Sequence, residues 1–390
     1  MFIRIQNAAY KLNAAMGIFS GSHKEYTSGS LSRDAWKRLR KNKLSMAALI
    51  FLLLMALTAL LGYLITPDST PMANRQFIEL GAKKPGFSIN MYRVEKPLYD
   101  RENILQRMLS GSPDRYQYIP FQVYNYNDGI LELTEYTGED QTVGSIVTLE
   151  VDENHWQEGI TKKKFLLGTD QFGRDLLSRL VIGSRVSLAV GLIAVLISLV
   201  IGISIGAVGG FFRGTADKIV VWLINVTWSI PTLLLVIAIT FALGKGFWQI
   251  FVAVGFTMWV EVARVTRGQI MTIREKEYIE AAKALGFSDA RIIFRHILPN
   301  IAGPIIVISA ANFASAILIE AGLSFLGIGV QPPLPSWGNM IRENYAYLLL
   351  DASHLAILPG VAIILTVLSF MILGNGLRDA LDVKARKTFQ

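Results

Sequence analysis

The residues able to do covalent or proton chemistry are few and far apart. His23, His155, His296 and His354 are scattered along 390 residues without the His-Glu-x-x-His spacing or any other that would bring metal ligands onto one helix face. There are no cysteines, which removes disulfides, thiolate metal sites and thiol nucleophiles. No Gly-x-x-x-x-Gly-Lys-Ser/Thr phosphate loop is present, so Gly244-Lys245-Gly246 is no nucleotide site. Two carboxylates, Glu261 and Glu320, stand at the edges of apolar segments, where a charge is costly and often functional. Glu261, beside Arg264 and Arg267, is expected in an ion pair at the inner face. Glu320 has two readings, a pathway group that meets a solute ammonium and a buried structural hydrogen bond. Asp170, Arg174, Asp175 and Arg179 are spaced for pairs one helical turn apart and read as a structural charge network in preference to a solute contact. No catalytic constellation emerges, and recognition is the chemistry left. Its best candidate is Glu280-Ala281-Ala282-Lys283-Ala284-Leu285-Gly286, followed ten residues past the glycine by His296-Ile297-Leu298-Pro299-Asn300. The alanines let another backbone approach, Gly286 permits a turn that a Cβ resists, and Pro299 marks the start of a new helix.

The elements that must position these residues are membrane spans. Hydrophobic residues make up 52% of the chain and charged ones 17%, the balance of a membrane protein. The formal charge of +8 forms no basic patch with interleaved aromatics, which argues against nucleic acid. Instead Arg33, Lys37, Arg38, Arg40, Lys41 and Lys43 crowd the entrance to the first apolar stretch and predict that this end stays in the cytoplasm. Residues 1–43 are polar and carry no convincing secretory leader; Ser32 is expected to cap a short basic helix ending at Lys43. Spans are expected near 45–65, 187–209, 219–242, 247–263, 301–322 and 354–374, each approaching the roughly 20 residues a bilayer needs. Six crossings put 264–300 and the C-terminus in the cytoplasm. Arg264, Arg267, Arg274, Lys276, Lys283, Arg291 and Arg295 load that long inner loop, against Lys245 and Arg342 in the short outer ones. Pro231 and Pro304 are read evenly as kinks or packing devices, and Gly191, Gly202, Gly206, Gly209 and Gly210 as close helix packing.

By parity, residues 67–186 lie outside and are too long for a connector. Phe121–Tyr126 and Ile130–Tyr136 flank Asn127-Asp128-Gly129, a strong hairpin signal, and Ser145–Val151 predicts a third strand. This β unit either seats a substrate-binding protein or only packs on the outer face. Pro332-Pro333-Leu334-Pro335-Ser336-Trp337 is rigid and amphipathic, suited to an interfacial loop or an anchor.

The Glu280–Gly286 pattern with its downstream Leu298-Pro299 resembles the cytoplasmic coupling loop of ABC importer permeases. Leu167–Arg179, Leu323–Gly338 and the closing Gly376–Asp382 resemble one branch of that superfamily, the C-type subunit of oligopeptide/dipeptide permeases. The resemblance is loose over 33–66 and close over 165–386. It implies an all-α membrane protein, six transmembrane helices of the type I ABC importer permease fold, with an extracytoplasmic insertion containing a small β unit. The expected divisions are 1–43 cytoplasmic, 44–66 the first span, 67–186 the outer segment, 187–376 the five-helix core with coupling loop 264–300, and 377–390 a cytoplasmic tail. The resemblance further implies a permease in the cell (plasma or inner) membrane, half of the translocation pathway of an ATP-driven peptide importer. Its implied partners are a homologous second permease, two ATP-binding subunits that carry the ATP and Mg, an extracytoplasmic peptide-binding protein, and membrane lipid. Tyr278, Glu280, Ala281, Ala282, Leu285 and Gly286 would contact the ATPase, with the helix from Tyr278 to Leu285 in its groove. Glu320, Gln331 and Trp337 would stand along the pathway or its gate. This chain itself would bind no cofactor and no metal. A permease for nickel or another small solute shares these blocks. A proton-driven carrier would need intramembrane carboxylate relays and internal repeats, and a membrane hydrolase a catalytic motif.

Overall fold

The computed structural model describes residues 31–96, 103–138, 144–153, 155–244 and 246–381. Expectations for residues 1–30, Lys245 and the tail beyond 381 lie outside them.

The chain enters through a basic helix, α1 (Leu31–Lys41). It stops short of Lys43 because Asn42 leaves helical geometry and caps the next helix, its side chain accepting from the Ser45 amide at 3.2 Å. Ser32 lies inside the described part of α1. The first span, α2 (Lys43–Ile65), leads to a linker folded around Asp68. The Asp68 carboxylate accepts from the Thr70 and Arg75 amides at 3.0 and 3.1 Å, and its own amide donates to Ser178 at 3.0 Å.

An antiparallel sheet follows, made of β1 (Ser88–Glu95), β2 (Tyr116–Asn127), β3 (Ile130–Glu135), β4 (Ile146–Glu150) and β5 (Ile160–Lys164), with a short helix α3 (Ile104–Ser110) between β1 and β2. The spatial order is β4-β3-β2-β1-β5. Asp128 and Gly129 both take positive φ, 46° and 82°, the pair that a two-residue hairpin turn requires, so Asn127 faces Ile130 as the sequence predicts. β1 and β5 are additions to the expected three strands. Phe121, Leu131 and Leu133 fill one cluster in the sheet, while Phe77, Leu80, Met91 and Phe165 fill another that fastens it to the linker.

The second span, α4 (Leu176–Phe212), starts well before residue 187. Asp175 caps it by accepting from the Ser178 amide at 2.8 Å. The expected third span is broken: α5 (Gly214–Trp228) and α6 (Thr232–Leu243) meet at 90° around Ser229-Ile230-Pro231. Pro231 has no amide to continue the ladder, which makes the break local and physical. The fourth, α7 (Phe247–Arg274), runs past the expected end at 263. Helix α8 (Glu277–Ala284) and a tight segment from Asp289 to Ile301 lead into α9 (Ala302–Phe325). Much of the 264–300 stretch is therefore ordered helix. Pro304 sits in the first turn of α9, where its missing donor costs little and no kink results. α10 (Trp337–Asn344) and α11 (His354–Leu381) complete the bundle. Among the described residues, five helices are long and apolar enough to cross a membrane, or six with the bent pair as one span.

The bundle centre is the α4–α7 pair. A Cβ built on Gly202, Gly206 or Gly210 would come 2.5–2.8 Å from the backbone or side chains of α7, so the stripe lets the two backbones nearly touch. α1 packs on α11, which places the chain's entry and the end of its last helix on the same side as α8.

At the junction of sheet and linker the Lys163 ammonium sits over the rings of Phe77, Phe165 and Tyr118 at 5.2, 5.3 and 5.7 Å. Burial, reinforced by the Arg75 guanidinium, lowers its pKa from 10.5 to about 8, with Asp68, Asp175 and Asp114 opposing. Between those two values the unfolded chain holds more protons than the folded one, so this junction gains stability as pH rises from about 8 to 10.5. The gain is at most about 3 kcal/mol. Lys163→Met is expected to melt above the native protein at pH 7 and to lose that advantage by pH 10, read by thermal scanning in detergent.

Candidate functional site

Helix α8 has one face tied down and one face exposed. Ile279 and Ala282 are buried in a cluster with Ala207 and Phe211 of α4, Ile270 of α7, and Ile292, Ile297 and Ile301 of the segment leading into α9. The opposite face carries Tyr278, Glu280 and Ala281, all exposed, and Leu285 beyond the helix end is 73% exposed. A large leucine side chain so open, beside an exposed tyrosine, is the composition of a contact surface. Ala282 departs from the expectation: it faces the chain's own core, and its small size serves that packing.

The helix ends in a reciprocal cap. The Phe287 amide donates to Ala282 at 3.1 Å and the Gly286 amide to Lys283 at 2.9 Å, the two bonds of a Schellman motif, with Gly286 at φ 76°. Phe287 then turns back onto the same cluster, and Arg291 stacks on its ring at 4.3 Å. A Cβ at Gly286 would meet nothing of this chain within 4 Å. The glycine is needed for its backbone geometry and not for want of room. The end of α4 is held from above by Lys283 and Arg274, 5.0 and 5.7 Å from the Phe211 ring. Arg213 pairs with Glu275 at 2.5 Å. The junction thus joins α4, α7, α8 and the approach to α9 as one packed unit.

The expected pairing of Glu261 is not found. Arg264 lies on the Trp228 ring at 3.4 Å from its centroid, and Arg267 makes a two-pronged pair with Asp217, one bond at 2.8 Å. Both arginines turn toward α5, and Glu261 is exposed.

At the sheet end, the predicted charge cluster is assembled but with different partners. Arg174 donates to Asp170 at 2.6 Å, the expected pair one turn apart, and also to Glu343 at 2.8 Å. Arg179 reaches past Asp175 to Asp170 and Glu343, each at 3.4 Å. Asp175 instead caps α4. Asp170, Arg174 and Arg179 are nearly inaccessible. The resulting two guanidinium groups and two carboxylates clamp the start of α4 to α10.

Two of the three remaining pathway candidates face inward. Glu320 is wholly buried and accepts from Ser324 at 2.7 Å and Ser187 at 3.3 Å. Ser324 in turn accepts from the Val330 amide at 3.1 Å, so this carboxyl fixes the turn after α9 onto α4. Of its two readings the geometry favours the structural one. Trp337 is also fully buried, its indole donating to the Leu180 carbonyl at 3.0 Å. Gln331 is exposed but donates to the carbonyls of Gly327 and Gly329, stabilising its own turn. Glu343, Asp68 and the serines around Glu320 were not singled out in the sequence. Glu343 lies 169 residues from Arg174, beyond the reach of any spacing rule.

These elements define a polytopic α-helical membrane protein with a short helix presented between two spans. The profile of the binding-protein-dependent transport system inner membrane component matches residues 198–387, and that of the N-terminal transmembrane domain of oligopeptide transport permease C matches 30–80. A glutathione transport system permease protein of Pectobacterium atrosepticum is 42% identical over 56% of this chain and 73% of its own. A di/tripeptide transport system permease protein of Pseudomonas aeruginosa is 42% identical over 59% and 76%. A dipeptide transport system permease protein of Bacillus subtilis is 32% identical over 92% of this chain and 87% of its own. The inward-facing MetNI methionine ABC transporter aligns at 19% identity over 53% of this chain and 98% of that chain, with a TM-score of 0.43. The chain belongs to the binding-protein-dependent inner membrane components, the permease subunits of ABC importers, and lies in its oligopeptide permease C branch.

Proposed function

We propose that this chain forms half of the translocation pathway of an ATP-driven peptide importer, beside a homologous second permease, and that α8 is where the ATPase pulls. The observation that carries the reading is the two-faced α8: an exposed Tyr278, Glu280, Ala281 and Leu285 edge, backed by a cluster that joins α4, α7 and the approach to α9. Force on the free edge reaches two spans directly, because a packed core is bistable and not freely deformable. The motor is a pair of separate subunits holding ATP and Mg, since this chain offers no phosphate loop of its own. The basic residues of α1 support an orientation with α1 and α8 on the cytoplasmic side and the sheet outside. On that orientation the sheet supports a seat for an extracytoplasmic binding protein. Peptides are the favoured cargo because relatives are named for dipeptides, di/tripeptides and glutathione.

The test is purification from the native membrane in mild detergent, with mass spectrometry of what remains bound and peptide-stimulated ATP hydrolysis of the complex. A sister permease, two ATPases and peptide-dependent turnover are expected. Recovery of the chain alone with proton-driven uptake would overturn the coupling role, and a complex stimulated by nickel or another small solute would overturn the cargo.

A further inference from the structure

The short helix α3 has no role in the scheme above, yet its faces are cleanly divided. Ile104, Leu105, Met108 and Leu109 fall within one arc of the helical wheel, and Gln106, Arg107 and Ser110 on the other. Most of the apolar arc is open: Ile104, Leu105 and Leu109 are 75%, 66% and 62% exposed, while Met108 is half-buried. Its height is fixed by one side chain and by the loop that follows, where the Ser112 amide donates to the Ser69 carbonyl at 2.8 Å. Arg185 of α4 donates to the Met108 and Leu109 carbonyls at 2.6 and 3.0 Å, and with the same guanidinium to the Ala59 and Leu60 carbonyls of α2 at 2.6 and 3.1 Å. The C-terminal end of α3 is therefore held level with Leu60. That residue lies five positions before the end of α2 at Ile65, about 8 Å back along the helix axis at 1.5 Å per residue. The apolar arc also continues a surface already committed to the bilayer, the exposed Leu53, Leu57, Leu60 and Leu64 of α2.

We propose that α3 lies in the plane of the membrane as an interfacial helix, its Ile104, Leu105 and Leu109 edge among the acyl chains of the sheet-side leaflet and Arg107 at the headgroups. A depth of about 5–10 Å is where amphipathic helices settle, and basic residues on the polar face suit that position. Bonding of its last carbonyls by Arg185 removes the cost of placing an open helix end at this depth. α3 is then a lipid-bound foot for the sheet.

The chain has no cysteine, so single cysteines report without background from it. Leu105→Cys and Arg107→Cys are introduced separately into the full complex, with cysteines of the other subunits replaced, and the complex is reconstituted in phosphatidylcholine nanodiscs. Bimane at 105 is expected to be quenched by shallow doxyl-labelled lipid at least about twofold more than bimane at 107. Leu105→Cys is also expected to react with a charged aqueous maleimide at least about tenfold more slowly than Arg107→Cys, by peptide mass mapping of this chain. Equal reactivity at the two positions would overturn the proposal by placing α3 in water. A position 105 that is protected but unquenched by doxyl lipid would overturn it by showing a protein partner on the same face.

Discussion

Gly286→Val is expected to reduce peptide uptake and peptide-stimulated ATP hydrolysis by at least about tenfold in reconstituted complexes, while the amount of protein in the membrane stays near normal. The reasoning starts from the backbone. At φ 76° a residue with a Cβ pays about 1–2 kcal/mol, and a β-branched one more. Losing the cap frees the Ala282 and Lys283 carbonyls and releases Phe287 from the cluster that ties α8 to the bundle. The membrane core is remote from this turn and keeps its packing. What is lost is the fixed angle of the exposed edge, the surface proposed to meet the motor. Asparagine tolerates left-handed geometry, so Gly286→Asn is expected to retain most activity. Full activity in the valine variant would count heavily against α8 as the coupler. Since a Cβ here meets nothing in this chain, a strong defect in the asparagine variant as well would locate a partner surface against Gly286 itself.

Asp170→Ala is expected to have the larger effect on stability. Asp170 is inaccessible and accepts from the Phe172 and Arg174 amides as well as from the Arg174 side chain. Its removal leaves two buried arginines sharing the single paired carboxylate of Glu343, with the Asn74 amide oxygen as a further acceptor for Arg174. Removing one member of a buried charge group typically costs about 3–5 kcal/mol, because the partner charges remain out of water. That is a large share of the roughly 5–15 kcal/mol that holds a domain folded. The variant should show a strongly lowered melting temperature in detergent and little intact protein in the membrane. Asp170→Asn, which keeps the acceptor to the two amides, should fall between. A melting curve unchanged in Asp170→Ala would mean that the network contributes nothing net.

The legible parts of the chain were those whose signals are local. The hairpin was readable because Asp128-Gly129 supplies both left-handed residues of its turn, and α8 because its composition and Gly286 end are written in consecutive positions. β5 was missed because Ile-Thr-Lys-Lys-Lys looks like a solvated connector; lysines are what an edge strand carries to discourage pairing with other chains. The start of α4 was missed because Arg179 and Arg185 lower the local hydropathy, although one is absorbed by Asp170 and Glu343 and the other by four backbone carbonyls. Partners such as Glu343 and Ser187 are set only when distant segments meet. Helical spacing paired Asp175 with Arg179 on the sequence alone; the fold assigned Asp175 to a helix cap.

The sheet order has a bearing on how such a chain diversifies. β1 and β5 are immediate neighbours, with Met91 opposite Thr161 and Ser88 opposite Lys164, so the polypeptide departs from the bundle and returns to it through one doorway. Everything between Glu95 and Ile160 is an excursion from that doorway. Insertions or replacements in its outer strands β3 and β4, away from α3 and its Arg185 tether, alter what is displayed above the membrane without shifting the register of the helices below. The outer edge of this appendage can therefore change in length while the helices that it stands on keep their packing.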